Sequence, residues 1–164
     1  MEIAERISSK DLKCVGIFEE LSDVSLEKIA NICIEKQYEA GEYCAVQGEQ
    51  TDHLLIVKRG KIAIEMEVHV PPHTHTVTIA TQADGRVCSW SGLVPPNTLT
   101  SSVKCLEKTF MLSIAASELK RIFEKEPLIE LIVMRNLARV ISSRLRDSHI
   151  QLERLIAEVI KSGT

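Results

Sequence analysis

Residues 85–103 read Gly-Arg-Val-Cys-Ser-Trp-Ser-Gly-Leu-Val-Pro-Pro-Asn-Thr-Leu-Thr-Ser-Ser-Val, setting small hydroxylic residues on both sides of an apolar pair. Ser89, Ser91 and Gly92 are spaced to expose successive backbone N–H groups, the nest arrangement that receives an anion. Thr100, Ser101 and Ser102 add hydroxyls on the facing side. Between them stand Trp90 and Leu99, with Val87, Cys88 and Leu93 beside them. This is the outline of a phosphate-holding turn opened by Gly85, without the acid and the arginine that a sugar phosphate requires. A phosphodiester buried without a guanidinium loses the bidentate, charge-assisted pair that offsets its desolvation. Two uses of the indole and the leucine remain. They fold inward with Val87 and Leu93 to fill the hollow, or they receive a flat, uncharged or aromatic ligand at its mouth. Arg86 and Lys104 are close in sequence, but strand alternation turns them outward.

A second cluster, His69, His73 and His75, crowds one hairpin. His-Thr-His puts both imidazoles on one strand face, as a shared metal requires, and resembles part of the metal motif of cupin enzymes. The carboxylate expected four residues on is Ile79, and no second histidine motif follows. A metal-dependent cupin-type enzyme is therefore the enzyme alternative, while no metal, no cofactor and no catalytic residue is expected. No Ser/His/Asp or paired-carboxylate constellation stands out. The cysteines (Cys14, Cys33, Cys44, Cys88, Cys105) are an odd, scattered set without CxxC spacing, which reads as reduced thiols in a cytoplasmic chain.

These groups must be positioned by one domain. A chain of 164 residues with 45% apolar and 26% charged residues fits a single globular unit over 1–164. Its net charge of −3 supplies no basic field for nucleic acid. No segment approaches the roughly 18 apolar residues of a membrane span, so no membrane association is expected. Residues 9–19 and 22–35 read as short helices, the second capped by Ser22, giving an N-terminal helical part over 9–36. Then Gly41, Gly48 and Gly60 punctuate short β-prone runs at 42–46, 54–57 and 61–68. The last run alternates as a half-buried strand does. Further runs at 74–81, 103–105 and 108–114 complete a closed or two-sheet antiparallel β-roll over 37–114.

Helical pattern returns over 115–162. Pro127 suits the first turn of a long helix over 128–161. Along it Met134, Ala138, Ile141 and Leu145, then Ser148, Leu152, Leu155 and Val159, alternate spacings of four and three. That heptad seam predicts a parallel coiled coil between two copies of the chain.

The residues Tyr38-Glu-Ala-Gly41-Glu42, Gln47-Gly48-Glu49 and Leu54-Leu-Ile-Val57-Lys-Arg-Gly60-Lys61-Ile62 resemble the cyclic nucleotide-binding domain. This is the family of the catabolite activator protein and the Crp-Fnr-like sensors. The resemblance runs from about residue 9 to 160. It implies a mainly β fold with flanking helices, a double-stranded β-helix (jelly roll) with N-terminal helices and a long C-terminal dimerisation helix. It also implies a ligand turn whose Glu falls at Trp90 and whose Arg falls at Leu99, so both charged determinants are replaced. Ser148 and His149 lie about where the family's helix approaches a bound base. The expected function is a non-catalytic regulatory or sensor module. It binds a small ligand other than cyclic AMP or cyclic GMP, and signals through a homodimer or a downstream regulatory protein. The alternative is a ligand-free dimeric scaffold with a plugged pocket. Too little chain follows the long helix for the family's helix-turn-helix, so direct DNA binding is not expected.

Overall fold

The computed structural model describes residues 6–163. Helix α1 (Ser9–Leu12), a 3-10 turn at Gly16–Phe18 and helix α2 (Asp23–Ala30) lead into the strands. These are β1 (Cys33–Tyr38), β2 (Tyr43–Ala45), β3 (His53–Arg59) and β4 (Ile62–Val70), then β5 (His73–Gln82), β6 (Val87–Ser89), β7 (Ser102–Cys105) and β8 (Thr109–Ala115). Helices α3 (Ala116–Lys125) and α4 (Pro127–Ser162) follow. The strands form two four-stranded antiparallel sheets, ordered β1-β8-β3-β6 and β2-β7-β4-β5, the two-sheet roll that the strand pattern implied and the jelly roll that the resemblance implied. No helix among the described residues is long and apolar enough to cross a membrane.

Strand periodicity explains how the roll is held. On β3 and β8, Leu54, Ile56, Leu112 and Ile114 face the helices and pack with Phe18, Ile29 and Leu119. The intervening Leu55, Val57 and Met111 face the interior of the roll, against Ile62, Ile64 and Val103. The unbroken apolar run at 54–57 is thus a strand buried on both sides. Gly41, Gly48 and Gly60 turn the corners with φ of 90°, 87° and 126°. At Gly60 a side chain would also press on Thr109, so that corner tolerates only glycine.

Three local expectations need correction. The helical reading of 22–35 fails after Ala30. Ser22 caps α2 by accepting from the Ser25 N–H at 3.2 Å, but residues 33–38 leave the helix to pair with β8, Cys33 opposite Ile114 through Tyr38 opposite Thr109. Sheet pairing there satisfies the backbone along a whole edge, and Lys58 reaches the Glu35 carboxylate at 2.6 Å. The reading of 9–19 as one helix also fails, since α1 closes at Leu12 and the chain continues to the 3-10 turn. Along β4 the predicted alternation is lost. Ile62, Ala63 and Ile64 are all buried, a register shift follows between Ile64 and Glu65, and Met66, Val68 and Val70 are exposed on the projecting β4–β5 hairpin.

Helix α4 begins with Pro127 in its first turn and runs 36 residues, roughly 54 Å at 1.5 Å per residue. Only its first half is seated. Ile129, Val133 and Leu137 enter the core and Val140 and Ile141 pack against it, while every residue from Leu145 to Ser162 is exposed. Asn136, 2% exposed, fastens this half by donating from Nδ2 to the carbonyls of Ile17 at 3.3 Å and Glu19 at 2.9 Å. Asn136→Ala leaves both carbonyls without that donor. The expected loss is about 1–3 kcal/mol of unfolding free energy at an unchanged m-value, measured by urea denaturation.

Candidate functional site

The stretch that carries the unusual chemistry is built from β6 and the segment leading into β7. Gly85 opens it at φ 77°, its N–H donating to the Val57 carbonyl at 2.8 Å. After β6 the chain turns at once, and the Leu93 N–H donates to the Trp90 carbonyl at 2.9 Å. Asn97 closes the loop from inside, donating from Nδ2 to the carbonyls of Ser91 at 2.8 Å and Gly92 at 3.1 Å. Leu99 is clamped to the facing turn on both edges: its N–H donates to Glu49 O and its carbonyl accepts from the Gly48 N–H, each at 2.8 Å.

Cys88, Ser89, Trp90 and Ser91 on one side, and Leu99, Thr100 and Ser101 on the other, meet around one cavity of about 40 Å³. A pocket for a drug-sized ligand takes about 300–1,000 Å³. The hollow is filled by the apolar residues that replace the expected charges. Leu99 is 7% exposed, and Trp90 packs half-buried against the cluster that contains Val87 and Leu93. Ser89 is 4% exposed, and its hydroxyl finds no hydrogen-bond partner among the described residues.

The remaining wall of the cavity was not anticipated. Arg144 of α4 lies with its guanidinium carbon 5.4 Å from the Trp90 ring centroid and donates from Nη2 to the Val87 carbonyl at 3.1 Å. It also borders a second, open cleft of about 650 Å³ between α4, the 3-10 turn and residues 80–87. Burial pulls the Arg144 guanidinium below its ordinary pKa. Arg86 adds to that, while Cys88 and Asp147 oppose it. The sequence held one signal for it. Arg144 continues, at helical spacing, the domain-facing stripe Ile129, Val133, Leu137 and Val140, whereas an arginine on a solvated flank would interrupt it.

Other candidate residues are placed elsewhere. Ser102 accepts from the Gln47 N–H at 2.8 Å and closes a turn. Ser148 and His149 are exposed on α4 and do not line the cavity. Arg86 is exposed and Lys104 lies over the Tyr43 ring, both turned outward as strand alternation implied. Burial pushes the Cys88 thiol up to about 12, with the Arg144 charge opposing, so it stays protonated and unreactive at neutral pH. His73 and His75 approach edge-on at 6.2 Å, opposite Val70 and Val68, while His69 pairs with Thr74. Alternation therefore sends His69 to the other face of the hairpin, and among the described residues no three His, Cys, Asp or Glu side chains converge to hold a metal.

The predicted seam lies open along α4. Leu145 is 56% exposed and Val159 is 69% exposed, with Leu152 and Leu155 between them; Met134, Ala138 and Ser148 are exposed as well. Ile141 is partly buried against the core. Leu131, three residues before Met134 and 59% exposed, extends the seam by one position.

A family model described as the cyclic nucleotide-binding domain matches residues 35–126. Isozyme 2 of a cGMP-dependent protein kinase from Drosophila melanogaster is 34% identical over 56 residues, which is 34% of this chain and 6% of the kinase. Among solved structures, the catabolite activator protein of Thermus thermophilus superposes with a TM-score of 0.68 at 21% identity, over 85% of this chain and 62% of that one. A cyclic nucleotide-binding domain from Methylobacillus flagellatus superposes with a TM-score of 0.79 at 15% identity, over 89% and 83%. At these identities the superpositions speak to the fold.

Proposed function

The chain belongs to the cyclic nucleotide-binding domain family, and from that premise we propose that it is a non-catalytic, dimeric regulatory module of the cytoplasm whose roll is closed to cyclic AMP and cyclic GMP. The observation that carries this is the cavity of about 40 Å³ under Trp90, Leu99 and Arg144. A cyclic nucleotide would have to displace an indole and a clamped leucine. It would also have to bury its phosphate without the strand arginine of the family, at a cost of several kcal/mol. The small volume favours the plugged roll over a preformed slot for a flat aromatic ligand. Signalling then runs through α4. Arg144 ties this helix to the ligand turn, and the next residue, Leu145, belongs to the exposed seam, so a shift of the turn reaches the dimer contact within one residue.

Thermal unfolding with added nucleotide tests the closed roll. A site of about 10 µM affinity at about 1 mM ligand would add about 2.7 kcal/mol, or roughly 5–11 °C in Tm. No resolvable rise is expected with cyclic AMP or cyclic GMP. A rise of that size with either one would overturn the reading.

A further inference from the structure

We infer that the cavity between Ser89, Ser101 and Arg144 is a binding site for a small inorganic oxyanion, with its positive charge supplied by helix α4 instead of by the roll. The inference rests on the closed-roll reading and deepens it. Three features converge on this ligand class. The Ser89 hydroxyl is buried without a partner, and a buried hydroxyl without a hydrogen bond is costly unless a ligand accepts from it. The Arg144 guanidinium is partly withdrawn from water and makes no ion pair among the described residues, although Asp147 lies one turn away on the same helix. With one face against Trp90 and a single donor on the Val87 carbonyl, it retains N–H donors in the fork geometry that suits an oxyanion. Thr100 and Ser101 add hydroxyls on the opposite wall, so donors line both sides of a space too small for a nucleotide.

The linkage follows from the placement of the charge. An anion held between the ligand turn and Arg144 binds to both the roll and α4, and so favours the arrangement in which the helix is docked. In that arrangement the seam residue Leu145 is fixed relative to the roll.

Trp90 is the sole tryptophan of the chain, so its emission reports on this cavity directly. The full chain is titrated with sodium sulfate, inorganic phosphate and sodium nitrate, each against sodium chloride at matched ionic strength. The expected result is a saturable change in Trp90 emission with at least one oxyanion and none with chloride. Half-saturation should move up at least roughly tenfold in Arg144→Gln and in Ser89→Ala, as loss of a charge-assisted or buried hydrogen bond implies. Lys36→Gln, at an exposed position on β1, should titrate like the parent chain. Should Arg144→Gln fail to fold by circular dichroism, Ser89→Ala decides alone, because it removes only the hydroxyl. A response indistinguishable from chloride, or one that survives in Ser89→Ala, overturns the inference. Cyclic AMP serves as a separate arm: silence with both classes rejects the oxyanion site while the closed roll stands. A saturable response to cyclic AMP with silence to oxyanions rejects both.

Discussion

Replacing Leu145 and Leu152 together by glutamate is expected to turn the proposed dimer into monomers in sedimentation at about 10 µM, while the β-roll stays folded. The two side chains are 56% and 54% exposed on a single chain, so nothing within the domain depends on them. Between two parallel helices they occupy the same heptad position one repeat apart, and each is buried by its counterpart. Full burial of a leucine contributes about 1.5–3 kcal/mol, and with just over half of each of four side chains left to bury, about 3–7 kcal/mol is lost per dimer. Even the lower figure is roughly two orders of magnitude in Kd at about 1.4 kcal/mol per tenfold. Four carboxylates brought into the seam add repulsion. Among the described residues, the half of α4 from Leu145 onward is exposed throughout, and Gln151 donates to the Ile79 carbonyl at 2.6 Å. Without a partner it should fray, so the monomer is also expected to lose far-ultraviolet helical signal. Leu128→Glu is the control. Leu128 is 67% exposed but lies off the seam, and its replacement should leave the dimer intact. A double variant that still sediments as a dimer would show that the seam is not the interface.

The proposed interface and the contact of Arg144 with the ligand turn share one turn of α4, and the sequence displayed only the apolar seam. The seam was legible because its apolar residues follow a strict spacing that solvent exposure does not blur. Arg144, beside it, was not. By type it belongs with Arg139, Arg146 and Arg154 on a solvated flank, and only its place on the stripe of Val133, Leu137 and Val140 marks it as facing the roll. The corners of the roll were legible because Gly41, Gly48 and Gly60 have positive φ, a demand of the backbone itself. Strand β1 was hidden for the opposite reason. Residues 33–38 carry a mixed apolar and charged pattern that extends the helical period of α2, and their pairing with β8, more than 70 residues away, leaves no local trace. The β6 strand was missed because its residues, Val87–Ser89, were read as part of the candidate turn. Within the candidate turn the sequence singled out Trp90 and Leu99 but left open whether they fill the hollow or face a ligand, because residue type alone does not set the packing that buries Leu99 and half-buries Trp90. It also assigned Gly92 to an anion nest, whereas the structure gives that residue a steric duty.

That duty can be tested by adding a single methyl group. A Cβ built at Gly92 meets three backbone atoms of His53, its O at 2.6 Å and its C and N each at 2.7 Å. The backbone conformation of Gly92 would accept alanine, so the obstruction is one of space alone. The obstacle cannot step aside. His53 begins β3 and pairs with Ala115 of β8, and the adjoining Ala116 N–H donates to the Asp52 carbonyl at 2.8 Å, so β3 is fixed on its far side. The turn at 90–93 must lift off the sheet instead. Overpacking of this kind costs about 1–3 kcal/mol and occasionally more, and a contact with backbone alone belongs near the top of that range. Gly92→Ala should therefore lower Tm by roughly 6–12 °C, taking about 3 kcal/mol at 2–4 °C per kcal/mol. Lifting the turn also draws Trp90 away from Arg144, so its emission should move to longer wavelength as the indole enters water. Gly16→Ala supplies the comparison. Nothing lies within 4 Å of its Cβ position, and its φ lies outside the left-handed region. There the methyl mainly restricts the unfolded chain, so stability should hold or rise by about 0.4–1 kcal/mol. If Gly92→Ala instead melts with the parent chain and keeps its emission, the turn is not seated on β3, and the closed cavity beneath Trp90 loses its floor.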